Sequence, residues 1–208
     1  MKSLRKFSVP FSLAGLQREH AIFERFLLRK DSFDETIVLR LFRNRHGLLR
    51  LLAGCFPEVS QHPDLYASEL SLAGEFRADF AVGNSRYRAL ALVEFESGDN
   101  TGLLLPSKLR TLSNRAAHGL SQLFAWDELL NDLGQTEFVK RAFTFFPDTV
   151  SFMYVGGRST SLTPANLKFS RWLQTGISLS DRAITIVTFD ALREEMQAHL
   201  EGLALTGR

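Results

Sequence analysis

The stretch that most constrains the fold is RYRALALVEFE, residues 86–96, in which apolar side chains fill both alternating faces before two glutamates end the run. Successive side chains of a strand point to opposite faces, so a strand apolar on both is buried between two layers. Its neighbours supply a sheet around it. ASELSLAGEF (67–76) alternates, RADFAV (77–82) is short and apolar, and GNS (83–85) has the composition of a turn. TVSFMYVG (149–156) and AITIVTF (183–189) read as further buried strands.

The remaining periodicity is helical. REHAIFERFLLRK (18–30) carries apolar residues at 22, 23, 26 and 27. One helix is expected from Asp34 to about Cys55, striped by Ile37, Val38, Leu41, Leu48, Leu49 and Leu52 and capped by Asp34 or Ser32. PEVSQHPD (57–64) reads as a loop, and SGDNTGLLLPSK (97–108) as another. Helices are expected over 110–133, over 164–174 with proline in the first turn, and over 190–203 with Asp190 as cap. The order α-α-β-β-β-α-β-α-β-α implies an α/β domain whose mixed sheet is flanked by helices.

At 208 residues the chain suits one domain, divided here into a basic helical extension (1–32) and a main domain (33–208). A single cysteine, Cys55, excludes an intramolecular disulfide and a cysteine-based zinc site. No apolar run approaches a membrane span, and Pro10 with Gln17-Arg18-Glu19 interrupts the signal-like start, so a cytoplasmic protein is expected. Residues 1–50 hold 11 Lys/Arg against 5 Asp/Glu, and residues 51–208 hold 14 against 18. A basic start beside an acidic remainder suits a polyanion-binding enzyme with a carboxylate metal site, and equally a solvated helical face. The 18 phenylalanines, more than a monomer of this size usually needs, motivate a homo-oligomer.

Glu94 and Glu96 lie two apart on a strand and so share a face, amid Leu90, Leu92, Val93 and Phe95. Asp79 sits between Ala78 and Phe80 on the preceding strand. Carboxylates in apolar surroundings need compensation, which a hard cation such as Mg²⁺ (or Mn²⁺) provides through oxygen ligands. Asp79 and Glu94 can meet only if the hairpin connection centres near Arg86–Tyr87. The residues alone also allow three surface acids paired with Arg77, Arg86 or Arg88.

The string RADFAV…LALVEFES (77–97) resembles the core motif of PD-(D/E)xK nucleases. HGLSQLFAWDELL (118–130), YVGGR (154–158) and VTFDAL (187–192) look more closely like the Shedu-type antiphage defence nuclease domain. A recombination-promoting nuclease branch of the same superfamily is also similar over residues 35–130. The resemblance implies a restriction-endonuclease-like fold, with Asp79 and Glu94 as metal ligands and Gln122 as the polar helix residue that orients water or phosphate. Glu96 stands where many relatives carry the catalytic lysine. It implies a second cation or a general base there, a basic group supplied by Lys108 or Arg115, or lost catalysis.

The five histidines show no metal-ligand spacing, no G-x-S-x-G elbow exists, and GGRSTS (156–161) lacks the P-loop lysine. The expectation is a metal-dependent DNA endonuclease in phage defence or a mobile element, free of membrane and small-molecule cofactor. Its rivals are a catalytically inactive nuclease-fold module that binds nucleic acid, and an oligomerisation module.

Overall fold

The structure, a computed structural model, describes residues 3–7, 11–72, 74, 76–105, 108–132, 145–175, 177–179 and 182–206. Pro10, Ala73, Glu75, Pro106, Ser107 and Leu133, which belong to segments assigned from the sequence, lie outside the described residues.

The elements run β1 (Arg5–Lys6), α1 (Leu13–Arg29), α2 (Glu35–Arg43), α3 (His46–Gly54), α4 (Pro57–Ser60), β2 (Leu65–Leu72), β3 (Phe76–Asn84), β4 (Ala89–Phe95), α5 (Asn114–Asp132), β5 (Thr149–Val155), α6 (Pro164–Gln174), β6 (Ile177–Leu179), β7 (Arg182–Val187) and α7 (Phe189–Thr206). Among the described residues the strands form one seven-stranded sheet, ordered β1-β2-β3-β4-β5-β7-β6. β1 through β4 pair antiparallel, β4–β5 and β5–β7 parallel, and β6 antiparallel to β7. The mixed α/β architecture read from the periodicity is present, with β1 and β6 as additional short edge strands.

The helices lie on both faces of this sheet. Phe80, Val82, Ala91, Val93 and Phe95 point into one core with α1, α2, α3 and α7. Ala81, Leu90, Leu92, Phe152 and Tyr154 point into a second core with α5 and α6. β4 is therefore lined with apolar side chains on both faces, as its composition requires. In the first core Phe23, Phe42, Phe95 and Phe189 meet edge to face at 4.9–5.4 Å between centroids, a geometry aromatic quadrupoles favour. The abundance of phenylalanine thus has an internal explanation. α1, read as part of an extension, contributes Leu16, Phe23 and Leu27 to this same core.

Several local expectations are corrected. The single helix expected from Asp34 to Cys55 is two, broken at Asn44–Arg45, and a helical turn (α4) interrupts the 57–64 loop. Asp34 occupies the N-cap position of α2 without a side-chain cap bond. α7 is capped by Thr188, whose Oγ1 accepts from the Ala191 N–H at 3.2 Å, and not by Asp190. Asp190 is instead held by Arg158: Nε lies 3.0 and 3.1 Å from its two carboxylate oxygens and Nη2 2.9 Å from Oδ1. The same guanidinium donates through Nη1 to the Lys30 carbonyl, so one buried cation ties the end of β5 to α7 and to the end of α1.

No helix among the described residues is long and apolar enough to cross a membrane.

Removing one partner of a buried, hydrogen-bonded ion pair strands the other charge. Arg158→Ala is expected to lower unfolding free energy by about 3 kcal/mol in urea titration. A loss below about 1 kcal/mol would show that Asp190 is resolvated without cost.

Candidate metal centre

The site forms where β3 and β4 part. Their connection is Ser85–Arg88, closing on the pair Asn84–Ala89. Asn84 Oδ1 accepts from the Arg86 and Tyr87 N–H groups at 3.1 and 3.2 Å, and Asp64 accepts from the Ser85 N–H at 2.7 Å. The turn is thus centred at Arg86–Tyr87, the condition under which Asp79 and Glu94 can meet. The register Phe80–Val93 ends the ladder, and its next step sets Asp79 opposite Glu94. There the main-chain pairing gives way to a side chain: Asp79 Oδ2 accepts the Phe95 N–H at 2.9 Å. The Asp79 carboxyl therefore lies against the Glu94–Phe95 peptide.

Glu94 follows Leu90 and Leu92 on the sheet face against which α5 packs. Tyr154 pairs with Glu94 across the parallel β4–β5 ladder. Gly119 of α5 packs so closely on the Tyr154 ring that a Cβ there would lie 2.4 Å from a ring carbon. This contact lets α5 lie close over the strand ends.

Burial sets the electrostatics. It raises Glu94 to about 10, with Asp79, Glu35 and Glu96 adding like-charge repulsion. Burial likewise raises Asp79 to about 7, against the lowering effect of the Phe95 N–H bond. Glu94 Oε2 is shut off from solvent and has no hydrogen-bond partner. An acceptor in that condition is costly unless a proton or a cation occupies it.

Glu96 lies just past the strand. Its N–H donates to the Val155 carbonyl at 2.8 Å, and its Oε1 accepts from the Ser97 N–H at 2.9 Å. It stays close enough to push up Glu94, Glu35 and Tyr154. Gln122 is one turn along α5 from Gly119. Its amide nitrogen is 3.4 Å from His118 Nε2, and its Oε1 is buried without a partner. Leu120 and Leu130 pack inward, whereas Phe124 between them is 47% exposed.

Two acids at the site escaped the sequence reading. Glu35, in the first turn of α2, is raised by burial and by Glu96. It is brought there by the segment after β4, whose Gly98 N–H donates to the Phe33 carbonyl at 2.9 Å. A Cβ at Gly98 would lie 2.1 Å from the Phe33 ring, so only glycine permits this approach. Glu69 sits between the pairs Ser68–Phe80 and Leu70–Ala78, hence opposite Asp79, with φ 56°. It binds Arg43 at 3.0 Å and Arg77 at 3.4 Å. An acid in a helix's first turn and another in an alternating strand are ordinary, so neither carried a sequence signal.

The cations that temper the acids are Arg43, Arg77 and Arg115. Of the two groups named in place of the missing lysine, Arg115 lies at the site, donating to Ser97 Oγ and paired with Asp99 at 2.5 Å. Lys108 lies on the loop held by α6, where Asn166 donates to its carbonyl at 3.3 Å.

Among the described residues no three His, Cys, Asp or Glu side chains are grouped so as to hold a metal ion. Two carboxylates nevertheless match a magnesium-type site, which takes one or two and leaves its other positions to water and phosphate. The orphaned Glu94 Oε2 beside Asp79 fits such an ion. Searches against protein-family models, curated proteins and solved structures found no match for this chain.

The raised acids contribute to the pH dependence of the metal-free fold. Both hold protons in the folded state that the unfolded chain loses near pH 4. Their stabilising contribution is complete below that and lost as pH rises through about 7 for Asp79 and on toward 10 for Glu94. With EDTA present, stability should fall as pH rises from 5 to 9, by about 1.4 kcal/mol per pH unit for each acid that is still protonated in the fold and ionised in the unfolded chain. Asp79→Asn and Glu94→Gln should each flatten that profile in urea melts. An unchanged slope in both would place the carboxyls in water.

Proposed function

We infer that the chain is a metal-dependent phosphodiesterase acting on DNA, a restriction-endonuclease-like protein akin to the Shedu-type defence nucleases. The observation that carries this reading is the pair of buried Asp79 and half-buried Glu94 where two strands diverge, with a carboxylate oxygen lacking any partner. Its position supports the reading. The pair lies at the carboxyl end of β4 beside parallel β5, and open sheets bind ligands outside the carboxyl ends of parallel strands.

Asp79 and Glu94 would hold the cation, Mg²⁺ or Mn²⁺. When bound, it supplies polarisation of the scissile phosphate and a more acidic water. Asp79 is oriented for this by the Phe95 N–H, which leaves its other oxygen for the ion. Glu96, outside the strand and half-buried, would take a proton from the attacking water. Arg77 and Arg43, both near the acids, offer guanidinium to phosphate in place of a lysine. Exposed Arg18, Arg25, Arg29 and Arg40 supply sequence-independent phosphate contacts.

Calorimetry should detect Mn²⁺ binding by the wild type and its loss in Asp79→Asn and Glu94→Gln. Plasmid nicking should fall on the order of 100-fold in both. Binding retained in both variants would overturn the metal assignment. Glu96→Gln removes a like charge, so it should raise metal-free stability by roughly 0.5 kcal/mol and shrink the gain from Mn²⁺. No change in either would make Glu96 a bystander.

A further inference from the structure

Away from the carboxylates, α6 and the loop before α5 form a cleft of about 410 Å³ lined by Arg110, Ala165, Lys168, Phe169 and Trp172. The rings of Phe169 and Trp172 stack at 5.5 Å with 13° between their planes, and Trp172 is 61% exposed. An aromatic ledge left open to water needs a reason. The wall facing it is built. Asn166, 1% exposed, accepts the Arg110 N–H at 2.9 Å and donates to the Leu105 and Lys108 carbonyls at 3.4 and 3.3 Å. Those bonds hold Arg110 at φ 53°, a conformation a non-glycine residue adopts only under constraint.

The charge lining the cleft has one sign. Arg110 and Lys168 line it, and among the described residues no Asp or Glu does. Flat aromatic rings bordered by cations without acids match an anionic polymer with unstacked planar groups. A double helix keeps its base faces covered, so the matching form is single-stranded. The ledge is also joined to the acids. The same segment leaves them at Ser97, forms the cleft wall at Arg110 and returns at Arg115, which donates to Ser97.

We propose that Phe169 and Trp172 form a base-stacking platform for single-stranded nucleic acid, with Arg110 and Lys168 holding its phosphates. The role deepens the nuclease reading and rests on it: the substrate carries an unpaired stretch, seated on the ledge while a phosphate lies at Asp79 and Glu94. The binding test is independent of cleavage.

Trp126 is buried and Trp172 exposed, so quenching of tryptophan fluorescence by an added oligonucleotide reports Trp172. In EDTA, a twelve-nucleotide oligothymidine should quench saturably, and a duplex of equal length far less. By anisotropy of a labelled oligothymidine, Trp172→Ala should weaken binding about tenfold or more, Trp172→Phe much less, and Arg110→Ala should weaken it too. Circular dichroism confirms that each variant is folded. An abasic oligomer bound as tightly as oligothymidine overturns the proposal, as does Trp172→Ala binding like wild type. Concentration-dependent quenching without oligonucleotide would assign the ledge to a second copy and also overturn it. Oligothymidine binding without metal-dependent cleavage leaves the platform standing and removes the nuclease reading.

Discussion

The register between β3 and β4 is the constraint on which the site depends. A strand has a side-chain period of two, so a slip of one residue would turn Asp79 or Glu94 toward the opposite core. The connection Ser85–Arg88 prevents the slip because its groups are bound in place, by Asn84 from within and Asp64 from the end of the preceding loop. With the turn fixed, the ladder runs out at Phe80–Val93 and the next step brings two acids face to face. The Asp79 carboxylate then satisfies the Phe95 N–H that a regular ladder would have paired. One interaction both ends the β3–β4 pairing and fixes the Asp79 carboxyl against the Glu94–Phe95 peptide.

Such a pair is tolerated because the surroundings are rigid and apolar on both sides. Phe80, Val93 and Phe95 fill one core, and Leu92, Phe152 and Tyr154 the other. The cost is desolvation, which is why both acids are driven toward their protonated forms. Nearby guanidinium does not relieve it fully. Arg43 and Arg77 are shared with Glu69, and Arg115 with Asp99. Perturbed acids of this kind gather at functional sites, where stability is given up for a poised charge.

Much of this was legible in the residues. The doubly apolar run 86–96 identified the central strand, and the requirement for a turn at Arg86–Tyr87 followed from geometry alone. What escaped depended on contacts distant in sequence. The break at Asn44–Arg45 carries no proline or glycine, so the apolar stripe seemed continuous across it. Asp190 had the sequence position of a cap, yet a buried arginine outcompetes the helix N-terminus for it, and Thr188 takes over the capping. Phe124 lies between inward residues of α5 but falls on the outer face. Glu35 and Glu69 come to the site through the Gly98–Phe33 contact and the pairing of β2 with β3, which no local pattern announces.

The place of Glu96 follows from how the strand ends. Its N–H is still paired with Val155, but its carboxylate folds back onto the Ser97 N–H at the first residue of the loop. A lysine at this position would extend a cation over the two acids and neutralise part of their repulsion. Here the third carboxylate adds to that repulsion, and the compensating cations come from Arg43 on α2, Arg77 on β3 and Arg115 on α5. Guanidinium stays charged at any pH the fold survives, so it can bind phosphate but cannot shuttle a proton. On the proposed nuclease reading, positive charge and proton transfer would fall to different groups: the arginines would hold the charge, and a carboxylate would move the proton.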